Sequence, residues 1–120
     1  MGFSSVEDVR AIEQEAPWSE RDLPATLYDM LDKTASKMPD ANAVSFQLMS
    51  GANSKAETLS WSQLRAQVTQ AANLFSRLGI GENDVVAFVL PNSMETVVAL
   101  LGGAVAGIVS PINPLLSPEH

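Results

Sequence analysis

The chain predicts an α/β fold in which N-terminal helices and a β-hairpin pack on a partial parallel sheet. Three observations carry that expectation. Val85 to Leu90 is an unbroken apolar run between Glu82-Asn83-Asp84 and Pro91-Asn92. A run this short, β-branched and bounded by turn formers reads as a strand covered on both faces. A helix follows from Met94 to about Ala106, and Gly107 frees the chain to enter a second apolar run at Ile108-Val109. Strand, crossover helix and strand make a right-handed βαβ unit, which implies parallel pairing. Upstream, alternating and helically spaced apolar residues read as packing brought to that sheet.

The elements follow in order. Ser4 to about Gln14 predicts a short acidic helix, with capping-box spacing between Ser4 and Glu7 and with Val6, Val9 and Ile12 near one face. Pro17-Trp18 ends it, and the chain from Ser19 through Pro24 reads as an extended connector. Thr26 opens a clearer helix with Asp29 in its first turn, and Leu27, Met30, Leu31, Thr34, Ala35 and Met38 recur at helical spacing until Pro39-Asp40. Those residues read as core.

Val44, Phe46 and Leu48 alternate with Ser45 and Gln47, the pattern of a half-buried strand. A polar loop at residues 50–55 leads to a second alternation, Thr58-Leu59-Ser60-Trp61, so the two form an antiparallel hairpin. Lys55 in the loop reads as a solvated lysine. Ser60 and Gln63 have capping-box spacing. The helix after them carries Leu64, Val68, Ala71, Phe75 and Leu78 on one stripe, and Gly79 supplies a left-handed stop. The helix from Met94 is different, being apolar nearly all round. Gly102 and Gly103 in its middle cost on the order of 1 kcal/mol each relative to Ala. Close approach of another backbone accounts for them, so this helix is expected to be buried on several sides. Ser117-Pro118 reads as the start of a further helix.

Composition narrows the function. The 120 residues suffice for one core, and 46% hydrophobic with 18% charged residues is globular. A net charge of −7 argues against nucleic acid or an anionic membrane as partner. No cysteine is present, and the single histidine is His120, so thiolate metal sites and a Ser/His/Asp arrangement are excluded. The N-terminus lacks the pattern of a secretory signal, and the longest apolar run falls short of the roughly 20 residues of a membrane span. A cytoplasmic protein with no transmembrane segment is expected.

Ligands on open parallel sheets bind beyond the carboxyl ends of the strands. The βαβ unit puts two loops there, Pro91-Asn92-Ser93 and Asn113-Pro114, so Asn92, Ser93 and Asn113 are the candidate cofactor-binding residues. Capping of the next helix also accounts for Asn92 or Ser93, and a strand-ending turn for Asn113. Between Leu90 and Met94 there is no glycine and no phosphate-loop pattern. The residues encode no catalytic or metal constellation.

The ordered series of motifs resembles the adenylate-forming enzymes, within them the acyl-CoA synthetases. Ser60-Trp61-Ser62-Gln63-Leu64 is similar to their helix entry, and Leu78-Gly79-Ile80-Gly81-Glu82-Asn83-Asp84-Val85-Val86-Ala87 to a turn and strand. Asn83 stands where that pattern has glycine, a place where Asn tolerates the left-handed region. Leu90-Pro91-Asn92-Ser93, Ala106-Gly107-Ile108-Val109, Pro111-Ile112-Asn113-Pro114 and Leu116-Ser117-Pro118-Glu119 continue the series. Upstream, Ala25-Thr26-Leu27 and Met38-Pro39-Asp40-Ala41 fit as well, and the likeness spans about residues 23–119.

The resemblance implies residues 1–24 as an N-terminal extension and 25–120 as the opening part of the family's large N-terminal domain. It implies a complete enzyme that uses ATP, Mg²⁺ and CoA to convert a fatty or aromatic carboxylic acid to acyl-adenylate and then to a thioester. The phosphate loop, adenine-contacting segment, hinge Asp and catalytic Lys of that family have no counterpart in these residues. The chain is therefore expected to be inactive and ligand-free alone, with the rest of the ligase as its partner and a tendency to self-associate. The family often has a basic residue after Asn-Pro, where Leu115 and Leu116 stand here. The alternatives are a stand-alone interaction module that keeps the fold, or the start of a peptide-synthetase adenylation domain.

Overall fold

The computed structural model describes residues 5–51, 53–117 and 119. Its elements are α1 (Val6–Glu15), α2 (Leu27–Lys37), β1 (Asn42–Phe46), β2 (Glu57–Ser60), α3 (Trp61–Arg77), β3 (Val85–Val89), α4 (Met94–Ala106) and β4 (Ile108–Ile112), with a 3-10 turn at Trp18–Glu20.

Helix starts are set by local chemistry. Ser60 and Gln63 form the expected capping box, and Thr26 with Asp29 forms another. At α1 the box is Ser5 with Asp8, not Ser4 with Glu7, and Ser4 lies outside the described residues. The hydroxyl of Ser5 accepts from the Asp8 amide at 3.2 Å, and the Asp8 carboxylate accepts from the Ser5 amide at 3.1 Å. At the end of α3, Gly79 takes φ +91°, its amide donates to Ser76 O, and the Ile80 amide reaches back to Phe75 O. That pair of bonds is a Schellman stop. Every other described residue with a side chain avoids positive φ, Asn83 included, so its replacement of glycine has no backbone cost.

The hairpin β1–β2 is antiparallel and β3–β4 parallel, as two separate two-stranded sheets. Leu48 and Trp61 depart from the expected hairpin. Strand β1 ends at Phe46 and leaves Leu48 exposed, whereas Trp61 opens α3 because Ser60 is its cap. Leu78 is also exposed, since the α3 stop turns it off the stripe, and Ala72 takes the buried place beside Val68.

Helix α4 lies between α3 on one side and the β3–β4 sheet on the other. Gly102 faces α3 at Ala71 and Ala72, and Gly103 faces Val86 and Val109 of the sheet. The close approach expected of the glycine pair is thus present on two sides. The core gathers Leu31, Leu64 and Val68, with Val44, Trp61, Val97 and Leu101 packed around it. Arg65 of α3 pairs with Asp32 of α2 at 2.8 Å, and the hydroxyls of Tyr28 and Thr69 meet at 3.0 Å, joining the same two helices.

Strand β3 corrects the expectation of cover on both faces. Its exposure alternates: Val86 and Phe88 are half-buried, whereas Val85, Ala87 and Val89 are exposed. Only the face toward α4 is packed. A continuous apolar run requires cover on two sides but does not specify which segment supplies each. Helix α1 stands apart from this packing, and the Cα radius of gyration of 18.0 Å exceeds the roughly 14 Å of a compact domain this long.

Candidate functional site

Parallel register brings the two predicted loops together. Val89 pairs with Ile112, so the segments after them, with Asn92-Ser93 and Asn113-Pro114, leave the sheet at the same edge. A shallow cleft of about 180 Å³ opens beside the first loop, lined in part by Asn92, Ser93, Thr96, Ser45 and Phe46. The hairpin strand β1 therefore forms one wall of the cleft, a contribution absent from the sequence pattern of either loop.

The three candidate residues differ in what their side chains do. Ser93 caps α4: its hydroxyl accepts from the Thr96 amide at 3.2 Å and meets the Thr96 hydroxyl at 3.1 Å. Thr96 Oγ1 in turn donates to Pro91 O at 2.5 Å, which ties the loop to the first turn of the helix. Asn113 Oδ1 accepts from the Leu115 amide at 2.9 Å, and the Leu116 amide bonds Asn113 O at 3.2 Å. Asn113 is thus a turn former. Asn92 is exposed and lines the cleft.

Glu95, in the first turn of α4, is held below its ordinary value of 4.5, chiefly by its own backbone amide and then by Ser93. It is the acid that complements a helix N-terminus. No cationic side chain lines the cleft or follows Asn113-Pro114, where Leu115 and Leu116 are exposed. A polyphosphate needs amide donors left open or cations, and here the Ser93 and Asn113 groups serve local structure. Among the described residues, no group of three or more His, Cys, Asp or Glu side chains is arranged to hold a metal, and no helix is long and apolar enough to cross a membrane.

Besides an opening of about 410 Å³ along α1, lined by Val9, Ile12, Glu13, Ala16, Trp18 and Arg21, two more openings exceed this cleft. One of about 290 Å³ is lined by Leu27, Met30, Leu31, Trp61, Leu64, Leu101 and neighbours, with Thr34 its sole hydroxyl, already bonded to Met30 O. The other, about 420 Å³, lies between β2, α3 and α4 and carries Glu57 and Glu95 at its rim. Neither joins a nucleophile to a base.

Comparison with known proteins agrees with the motif series. The family model described as AMP-binding enzyme matches residues 31–120. The marinolic acid–CoA ligase of a Pseudoalteromonas strain is 36% identical over 97% of this chain and 18% of its own length. A long-chain-fatty-acid–AMP ligase of Mycobacterium marinum is 31% identical over 87% of this chain and 17% of its own. A fatty acyl CoA synthetase structure from Mycobacterium tuberculosis superposes with TM-score 0.61 at 25% identity, over 77% of this chain and 17% of that one. The chain spans less than a fifth of the length of these relatives. With the family's match running through the hairpin, α3, the βαβ unit and both strand-end loops, the chain belongs to the AMP-binding enzyme family, whose members here are ligases of acids.

Proposed function

We propose that this chain is the opening scaffold of an acyl-CoA synthetase. The complete enzyme activates a fatty or aromatic carboxylic acid with ATP and Mg²⁺ to acyl-adenylate and passes the acyl group to CoA in the cytoplasm. One observation carries the proposal: the family match covers residues 31–120, and the chain spans less than a fifth of the length of its ligase relatives. Residues 1–24 act as an extension and residues 25–120 as the first part of the large domain. The strand-end loops contribute shape and position near the acyl or CoA passage. Ser93 closes a cap and Asn113 a turn, which leaves Asn92 as the open side chain of these loops, and the main ATP and CoA contacts belong to other parts of the ligase chain.

A second reading has the acyl-adenylate passed to an acceptor other than CoA. The Mycobacterium marinum relative, described as an AMP ligase, favours it.

The test is carboxylate-dependent ATP–pyrophosphate exchange, followed by thioester formation with CoA. The 120-residue chain alone is expected to give neither, and a ligase-length product beginning with these residues to give both. Exchange without thioester selects the second reading. Exchange by the chain alone, or none by the ligase-length product with any acid, overturns the proposal.

A further inference from the structure

Strand β1 and the start of α4 wall the cleft beside the first strand-end loop, and no charged side chain lines it. Its hydroxyls are committed to the protein itself. Ser45 Oγ meets Thr58 Oγ1 at 3.2 Å, Ser93 Oγ meets Thr96 Oγ1 at 3.1 Å, and Thr96 also donates to Pro91 O. The Asn92 carboxamide is the exception: among the described residues it has no hydrogen-bond partner. The bond from Thr96 to Pro91 O fixes the loop that presents it. Val44, Phe46 and Val97 supply apolar surface to the same cleft.

We propose that Asn92 binds an uncharged amide in an extended chain, and that in the ligase this chain is the pantetheine arm of the acceptor thiol. The inference deepens the proposed function and rests on it. A carboxamide has both donors and an acceptor, so it can meet either the C=O or the N–H of an amide. The apolar side chains suit the methylenes on either side. Anionic groups are disfavoured there, since no cation lines the cleft and the Glu95 carboxylate stands in the first turn of α4. The volume of about 180 Å³ is roughly that of six waters in the liquid, room for one amide with adjoining methylenes and too little for a nucleotide. Among the reactants of the proposed reaction, ATP and acyl-adenylate are anionic, and a fatty or aromatic acid has no amide. The arm of CoA places two amides on an uncharged stretch between its thiol and its phosphates. An acceptor other than CoA that presents its thiol on the same arm meets Asn92 in the same way.

Steady-state kinetics of the ligase-length product test it with two thiols, CoA and pantetheine, the second being the arm without the nucleotide. Asn92→Ala is expected to raise the KM of both by the same factor, about three- to tenfold, the worth of one neutral hydrogen bond. Equal urea midpoints for parent and variant verify the fold. An unchanged KM for both thiols overturns the proposal. So does a rise with CoA alone, which gives Asn92 to the nucleotide end. A loss of the same size in carboxylate-dependent ATP–pyrophosphate exchange, which needs no thiol, gives it to the adenylate and overturns the proposal too. Where the parent forms no thioester with any acid, the ligase reading fails, and saturation-transfer NMR of pantetheine with the same protein still decides. Transfer that is lost in Asn92→Ala supports the amide site, and transfer absent from the parent or equal in the variant overturns it.

Discussion

Gly102 of α4 faces Ala71 of α3 so closely that a Cβ on Gly102 would stand 2.6 Å from the Ala71 Cβ. The Ala72 backbone nitrogen would lie 3.3 Å away, so a methyl group displaces a helix rather than a flexible side chain. For Gly103, one residue on, the three nearest atoms would be side-chain atoms of Val109 and Val86, at 3.3–3.5 Å. Two adjacent glycines thus have different jobs. One sets the α3–α4 distance, and the other seats the helix on the sheet.

Gly102→Ala is therefore expected to destabilise the fold by about 1–3 kcal/mol, the overpacking cost exceeding the gain in helix propensity of about 1 kcal/mol. Gly103→Ala is expected to lie within about 1 kcal/mol of the parent, because the same gain offsets a milder contact. Urea unfolding of both variants measures the contrast. Equal effects would contradict the two assignments.

Ser93→Ala is expected to cost about 1 kcal/mol, the usual worth of an N-cap hydroxyl. Ser93→Asp, which keeps an acceptor for the Thr96 amide, is expected to recover most of it. Thermal or urea melts of the two variants decide whether capping is the job of this residue. Full stability in Ser93→Ala would leave the residue without that role.

Acid sensitivity has a defined direction. Hydrogen bonding to Lys33, and then its charge, lowers Asp22 from 3.8, while Glu95 is lowered from 4.5 by its backbone amide and Ser93. Groups with depressed folded values stabilise fully above their ordinary values, and that contribution is lost as pH falls through the folded ones. Melting temperature is expected to be insensitive to these two groups above about pH 5 and to fall with acid below about pH 4. Both carboxylates are solvent-exposed, so the effect is small. Asp22→Asn and Glu95→Gln are expected to flatten the acid limb, and an unchanged limb in the double variant contradicts the assignment.

The Arg65–Asp32 pair links α3 to α2 at the half-exposed surface of the core. A double-mutant cycle with Arg65→Met and Asp32→Asn is expected to yield a coupling of about 0.2–1 kcal/mol, reduced by added salt. A coupling of zero would leave the Tyr28–Thr69 hydrogen bond and apolar packing as the joints between these helices.

Much of the fold was legible because single residues mark its boundaries. Ser93 and Gly107 bracket α4, Ser60 starts α3, and Gly79 stops it with the positive φ that the sequence anticipates. The start of α1 was not legible, since Ser4 and Ser5 each precede an acid by three residues and spacing alone does not choose between them. Strand β1 was overextended to Leu48, because alternation continues past the point where pairing stops at Phe46 with Glu57. The bare sheet face was hidden for another reason. The run Val85–Leu90 states that two faces want cover, and the tertiary partner of each is not local information.

The candidate site was legible in position and less so in role. Parallel register places Asn92-Ser93 and Asn113-Pro114 at one edge, as the βαβ pattern implies. Which side chains remain available there depends on bonds such as Thr96 to Pro91 O and Leu115 to Asn113, which pattern does not reveal. The wall contributed by Ser45 and Phe46 comes from a distant hairpin, and no motif signals it.

The central claim is that these residues form the scaffold of a ligase whose chemistry is encoded elsewhere in its chain. Reading the coding DNA past the His120 codon tests it most directly. A continuing frame with a Ser/Thr/Gly-rich phosphate loop further on is the predicted result. A stop codon at or just after His120 would contradict the claim and leave a family fold whose work must be sought in its partners.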